Sequence, residues 1–155
     1  MINWQWCTMD ALSSRELYAV LQLRCEVFVV EQNCLYQDVD GYDPQCWHLL
    51  GWQGDATQRQ LVAYLRGVPP GVKFTEAALG RVLTHMSVRG SGAGRALLAQ
   101  GLACMGRQFP GVPIKIAAQC YLQAFYESFG FVACSAAYDE DGIPHIDMLR
   151  SAEAV

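Results

Sequence analysis

A chain of 155 residues, 52% of them apolar, is long enough to bury one substantial core and too apolar to stay disordered. Its net charge of −4 and its two lysines, Lys73 and Lys115, leave no basic stripe to neutralise a nucleic-acid backbone. No apolar run approaches the roughly 18 residues of a membrane span, and "MINWQWCTMD" lacks the basic start and apolar centre of a secretion signal, so neither nucleic acid nor membrane is expected as a partner and the cytoplasm is the expected compartment.

Taken in chain order, "INWQWC" alternates Ile2, Trp4 and Trp6, the period-two pattern of a half-buried strand. "SSRELYAVLQLRCEVFV" follows with Ser13 and Glu16 at capping-box spacing. Leu17, Val20, Leu21, Arg24, Val27 and Phe28 recur at helical intervals. "EQNCLYQDVDGYDPQC" is polar and carries Gly41 and Pro44, so it reads as a long loop or a hidden short helix. Asp38, Asp40 and Asp43 within it read as a solvated turn, or else as a rim that recognises a cation.

"WHLLGWQ" and "QLVAYLRGV" read as a hairpin, and "LGRVLTHM" as a third strand. Beyond "VRGSGAGR", Leu97, Leu98, Gly101, Leu102 and Met105 mark one face of a helix, and "VPIKIAAQ" reads as a strand. Strand, helix and strand then form a crossover whose two strands are expected to be parallel neighbours. "YLQAFYESFG" reads as a helix stopped by Gly130, and "FVACSAAY" with "PHIDMLR" as a closing hairpin across "DEDGI". The expected fold class is α/β: a single domain over 1–155, a mixed central sheet with helices on both faces.

The seven cysteines (Cys7, Cys25, Cys34, Cys46, Cys104, Cys120 and Cys134) contain no CxxC pair. They read as reduced small hydrophobes, and no metal is expected. Cys34 and Cys120 are the candidates for a nucleophilic or redox alternative.

The chemistry concentrates on Gly90, Gly92 and Gly94, placed between a strand and a helix. The first amides of a helix lack intrahelical partners and meet the positive end of the macrodipole, which suits a phosphate; a tight turn is the alternative. Neither familiar phosphate motif fits. The loop closes on Gly94-Arg95-Ala96 without the lysine of a Walker loop, and it does not follow the first strand as a Rossmann loop would.

The spacing Arg89-x-x-Gly92-x-Gly94 resembles the pyrophosphate loop of the GNAT superfamily of acetyl-CoA-dependent N-acetyltransferases. "LQAFYESFGF" resembles the second signature of that superfamily. "LRCEVFVVEQNCLYQDVDGYD" and "EDGIPHIDM" are similar to its ElaA-like branch. The resemblance implies a GNAT fold, with the sheet splayed around an acyl-CoA site and acetyl-CoA as co-substrate. Gly90, Ser91, Gly92, Ala93, Gly94 and Arg95 would hold the pyrophosphate, and Arg89 and Arg95 would add charge. The backbone of Leu83 and Thr84 would pair with the pantetheine arm, and an amide near Thr84 would polarise the thioester carbonyl.

By the same resemblance, Tyr126 is the acid that protonates the departing thiolate; by spacing alone it is one more core aromatic. "RVLTHM" carries no carboxylate where many relatives place a base. Glu31 and His145 are therefore the candidates for base and acceptor contacts, ahead of His85. Arg24 is a candidate acceptor contact, because "RCEVFVVEQ" is also similar to the opening of acyl-homoserine lactone synthases. The expected activity is direct acetyl transfer to a primary amine of a small molecule or peptide. A non-catalytic acyl-CoA sensor and a lactone-synthase-like acyltransferase are the alternatives, and a homodimer is compatible with the aromatic content.

Overall fold

The computed structural model describes residues 1–152. Its elements run β1 (Ile2–Thr8), α1 (Ser14–Arg24), β2 (Trp47–Gln53), β3 (Gln60–Val68), β4 (Ala77–Thr84), α2 (Ala93–Gln108), β5 (Ile114–Gln119), α3 (Gln123–Glu127), β6 (Val132–Ala133), β7 (Tyr138–Glu140) and β8 (Ile143–Arg150). All eight strands form one mixed sheet in the order β1-β2-β3-β4-β5-β8-β6, with β7 also paired to β8.

Helix α1 starts where its sequence requires. The Ser13 hydroxyl accepts from the Glu16 amide at 3.1 Å, and the Glu16 carboxylate accepts from the Ser13 amide at 2.8 Å, so two otherwise orphaned donors are satisfied reciprocally. Its apolar stripe of Val20 and Leu23 continues to Val27 and packs on Leu50, Leu61, Tyr64 and Leu83. Helix α2 buries Leu97, Leu98, Cys104 and Met105 against Leu49, Ala63, Leu65 and Leu79. Because Tyr64 faces α1 and its neighbours Ala63 and Leu65 face α2, the two helices cover opposite faces of the sheet. Gly101 in mid-helix is explained by contact, since a Cβ there would lie 2.5 Å from Leu65 Cδ2.

The chain departs from the expected pattern in four places. After Arg24 the helix widens into a π-helical segment, Cys25–Glu31, which turns Glu31 and Gln32 toward the sheet's carboxyl end. The short helix expected from "YLQAFYESFG" begins as a 3-10 turn, Cys120–Leu122. "FVACSAAY" is not one strand: its centre loops out. There the Ser135 hydroxyl accepts from the Asp147 amide at 2.9 Å and the Cys134 amide donates to the Asp147 carbonyl at 2.8 Å. Its small side chains offer too little apolar surface to hold a continuous strand.

The fourth departure shapes the molecule. β4 carries a bulge: Arg81 and Val82 lie opposite the single residue Leu65, and Arg81 is left-handed at φ 51°. A bulge bends its strand and re-aims the side chain, and for a residue with a Cβ that conformation costs about 1–3 kcal/mol. Here the parallel pairing to β5 covers only Ala77↔Ile114 and Ala78↔Lys115, while β5 stays fully paired to β8. The sheet therefore splits between β4 and β5 toward their carboxyl ends.

The aspartates do not form a solvated turn. Arg24 Nε lies 2.8 Å from Asp38 and its Nη1 2.7 Å from Asp43. Arg66 forks onto both oxygens of Asp40 at 2.8 Å and reaches Asp43 at 3.0 Å. Arg81 lies 2.8 Å from Asp38 and 3.2 Å from Asp40. Burial disfavours the ionised Asp40 and Asp43, but Arg66 on Asp40 and Arg24 with Arg66 on Asp43 outweigh it and hold both carboxyls below their ordinary range.

Depressed folded-state pKa values contribute stability that is present above the unfolded value of about 4 and lost as pH falls below it. Asp43→Asn, which leaves Arg24 and Arg66 short of a counter-charge, is expected to lower the unfolding free energy by about 3–5 kcal/mol in urea at pH 7. The deficit should shrink as the wild type is titrated below pH 4. A loss under about 1 kcal/mol at pH 7 would show that the network is not holding the loop.

Candidate active site

The split between β4 and β5 opens a cavity of about 790 Å3. It begins at Gly94, passes Leu83, Thr84 and Tyr126, and ends among Tyr36, Asp40, Lys73, Glu140 and His145. One continuous space thus joins the glycine loop to residues from four other parts of the chain.

At the loop, Gly90 (φ 81°) and Gly92 (φ 88°) are left-handed, and Gly92 caps α2 without a side chain. Nothing lies within 4 Å of where a Cβ would stand on Gly90, Gly92 or Gly94, and Ser91 and Arg95 are exposed, while Ala93 is buried against Val62 and Val88. A phosphate group fits this cradle by charge and by access. Arg95 stays beside it, bonded to the Ser128 hydroxyl at 3.1 Å and stacked 4.7 Å from the Phe129 ring centre.

Arg89 lines the same cavity as Gly94 and is already engaged. It turns back to Glu31, with bonds of 2.7 and 3.1 Å, and donates to the Thr84 carbonyl at 2.8 Å. These contacts bear on two expectations together. The Arg89 bonds hold the Glu31 carboxyl below its usual range, so Glu31 is a poor proton acceptor, and Arg89 acts as a clamp between the π-helical segment and the end of β4. The Thr84 carbonyl already has a partner, and the free edge of β4 is the stretch Gly80–Leu83 facing β5.

Tyr126 is buried, edge-on to Phe125 and Phe131, yet it lines the cavity. Core aromatic and cavity wall are therefore both true of it. Burial pushes its phenol up to about 12, so it holds its proton at any working pH.

His145 stands opposite Gln119 across the β5–β8 ladder, inside the cavity. Its Nδ1 is 2.7 Å from the Ile143 carbonyl oxygen. A carbonyl only accepts, so Nδ1 carries the hydrogen and Nε2 of the neutral ring keeps its lone pair. Glu140 lies 3.5 Å from Nε2, and Tyr138 stacks on the ring. His85 bonds Ser87 and does not line the cavity.

Arg24 is fully buried within the aspartate network and does not line the cavity; it fixes a loop whose Tyr36 and Asp40 do. Asp40, Arg66 and Arg81 of the same network do line the cavity. Sequence reasoning missed Arg66, Arg81, Tyr36 and Lys73 as cavity residues. Their arginine–aspartate pairings span up to 43 positions, and no local pattern signals them.

Similarity to known proteins agrees with this geometry. The acetyltransferase (GNAT) domain family matches residues 57–151. Protein ElaA of Escherichia coli is 45% identical over 152 residues, 97% of each chain. Its crystal structure superposes with a TM-score of 0.90, covering 97% of this chain and all of that one. An acyl-CoA N-acyltransferase from Pseudomonas aeruginosa is 42% identical over the same shares, with a TM-score of 0.91. A mixed sheet split at β4 and β5, a glycine cradle at the N-terminus of α2, and full-length similarity to these structures lead to one conclusion: the chain belongs to the GNAT acetyltransferase family and is an acyltransferase.

Proposed function

We propose that this protein transfers the acetyl group of acetyl-CoA directly to the primary amine of a small molecule, in the cytoplasm. The observation that carries the reading is the single cavity, which runs from the glycine cradle past a protonated phenol to a histidine with a free lone pair. Acetyl-CoA, when bound, supplies the thioester carbonyl that the amine attacks.

In this reading the amides from Gly90 to Arg95 take the pyrophosphate, and the unpaired edge of β4 up to Leu83 takes the pantetheine arm. Backbone amides between Arg81 and Thr84 stabilise negative charge on the carbonyl oxygen. His145 Nε2 accepts the proton that the acceptor's ammonium must lose, with Glu140 stabilising the imidazolium. The new C–N bond forms as the C–S bond breaks, and the sulfur takes the Tyr126 proton. The amine nitrogen releases one proton in return, so the phenol is restored and the charges balance. Glu31 acts through Arg89 as a positioning residue. A cysteine intermediate gains no support: Cys34, the cysteine of the cavity lining, gives its thiol hydrogen to the Asp141 carbonyl, and Cys46 and Cys104 lie outside that lining.

Tyr126→Phe is expected to lower kcat about 100-fold or more, a general acid's usual contribution, while the Kd for CoA measured by calorimetry stays within about twofold. An unchanged kcat would remove Tyr126 from the reaction.

The pH profile separates acid from base. With the phenol at about 12, the proton donor remains loaded, so kcat/KM should rise with pH to a plateau and show no fall below about pH 10. In His145→Gln the rising limb should move to the pKa of the free amine. A fall in wild-type activity between pH 8 and 9 would assign the acid to another group.

A further inference from the structure

The acceptor end of the cavity has two walls of unlike charge. On one wall Arg24, Arg66 and Arg81 are matched by Asp38, Asp40 and Asp43. Lys73 is added to this balanced set. Among the described residues no carboxylate lies within ion-pair distance of it, and its ammonium rests 5.8 Å from the Phe74 ring centre and 5.9 Å from that of Tyr42. Arg66, 1% exposed, also keeps a buried Nε–H without an acceptor.

The opposite wall is the β7–β8 turn. It presents Glu140, whose one ion-pair partner among the described residues is His145 and which also lies within electrostatic range of Lys73, and Asp141, which has no cation within ion-pair distance among the described residues. Two contacts tie residues 32–34 to other segments that line the cavity. Cys34 Sγ donates to the Asp141 carbonyl at 3.4 Å, and Gln119 Nε2 donates to Gln32 Oε1 at 3.2 Å.

We infer that the acceptor is a small zwitterionic amine of the free amino-acid type. Its amine is held at His145, Glu140 and Asp141, and its carboxylate by Lys73. This inference rests on the acetyl-transfer reading and specifies the substrate class of that site. The carboxylate contact fixes the direction in which the amine points, so Lys73 governs affinity and orientation rather than the chemical step.

The test compares free amino acids with the same amino acids as carboxamides, using the full chain with acetyl-CoA and mass detection of product. At least one free acid is expected to react with a kcat/KM about tenfold or more above its amide, the usual worth of a charge-assisted contact. Lys73→Met should raise KM for that acid about tenfold with kcat little changed, and leave the amide within twofold; Lys73→Arg should restore KM. Calorimetry on the CoA-loaded protein separates this inference from the reading beneath it. Lys73-dependent binding of a free acid without turnover would keep the zwitterion and sink acetyl transfer. Preference for the amide, acetylation confined to peptide termini, a Lys73→Met variant indistinguishable from wild type, or no binding and no turnover would each overturn the inference.

Discussion

The arginine–aspartate network under the loop at the end of the cavity is the constraint on which the cavity depends. Three guanidinium groups and three carboxylates are drawn from the end of α1, the loop before β2, and strands β3 and β4. Burying unlike charges together gains little over a well-packed apolar patch, but leaving any one of them unmatched is costly. The set therefore specifies a conformation more than it adds stability. His48 extends it, bonding the Asp43 carbonyl through Nε2 and the Tyr64 hydroxyl through Nδ1, and burial keeps that imidazole neutral by lowering its pKa.

Arg81 connects this network to the split in the sheet. Its left-handed backbone is unfavourable for a residue with a Cβ, and its side chain is held in place by Asp38 and Asp40. The bulge so fixed bends β4 away from β5, and the split exposes the edge, the phenol and the histidine to one cavity. The charge network and the cavity are thus linked through a single residue of β4. Arg89 makes a second tie, joining the π-helical segment to the last carbonyl of the same strand.

Much of this was legible in the sequence, and the rest had physical reasons to stay hidden. The capping box at Ser13 and Glu16, the β2–β3 hairpin, the crossover through α2 and the glycine cradle are local patterns, and each appears where its spacing placed it. Asp38, Asp40 and Asp43 sit among turn-forming residues, so their burial depends on arginines far away in sequence. Arg89 lies beside the glycine loop, yet a carboxylate 58 positions earlier holds it. The bulge at Arg81 leaves no mark in "LGRVLTHM", because alternation reads the same whether or not one residue is inserted. Tyr126 shows how spacing alone can divide two readings that the fold unites, since one ring packs in the core and lines the cavity.

The central claim is acetyl transfer from acetyl-CoA to a free amine without a covalent enzyme intermediate. The most direct measurement is mass spectrometry of the purified protein incubated with acetyl-CoA and a panel of polyamines, amino acids, aminoglycosides and short peptides. The account predicts one amine that gains a single acetyl group in amounts exceeding the enzyme, while the protein's own seven cysteines remain unmodified. Tight CoA binding with no acetylated amine, or an acetyl group accumulating on the protein before any product appears, would contradict it.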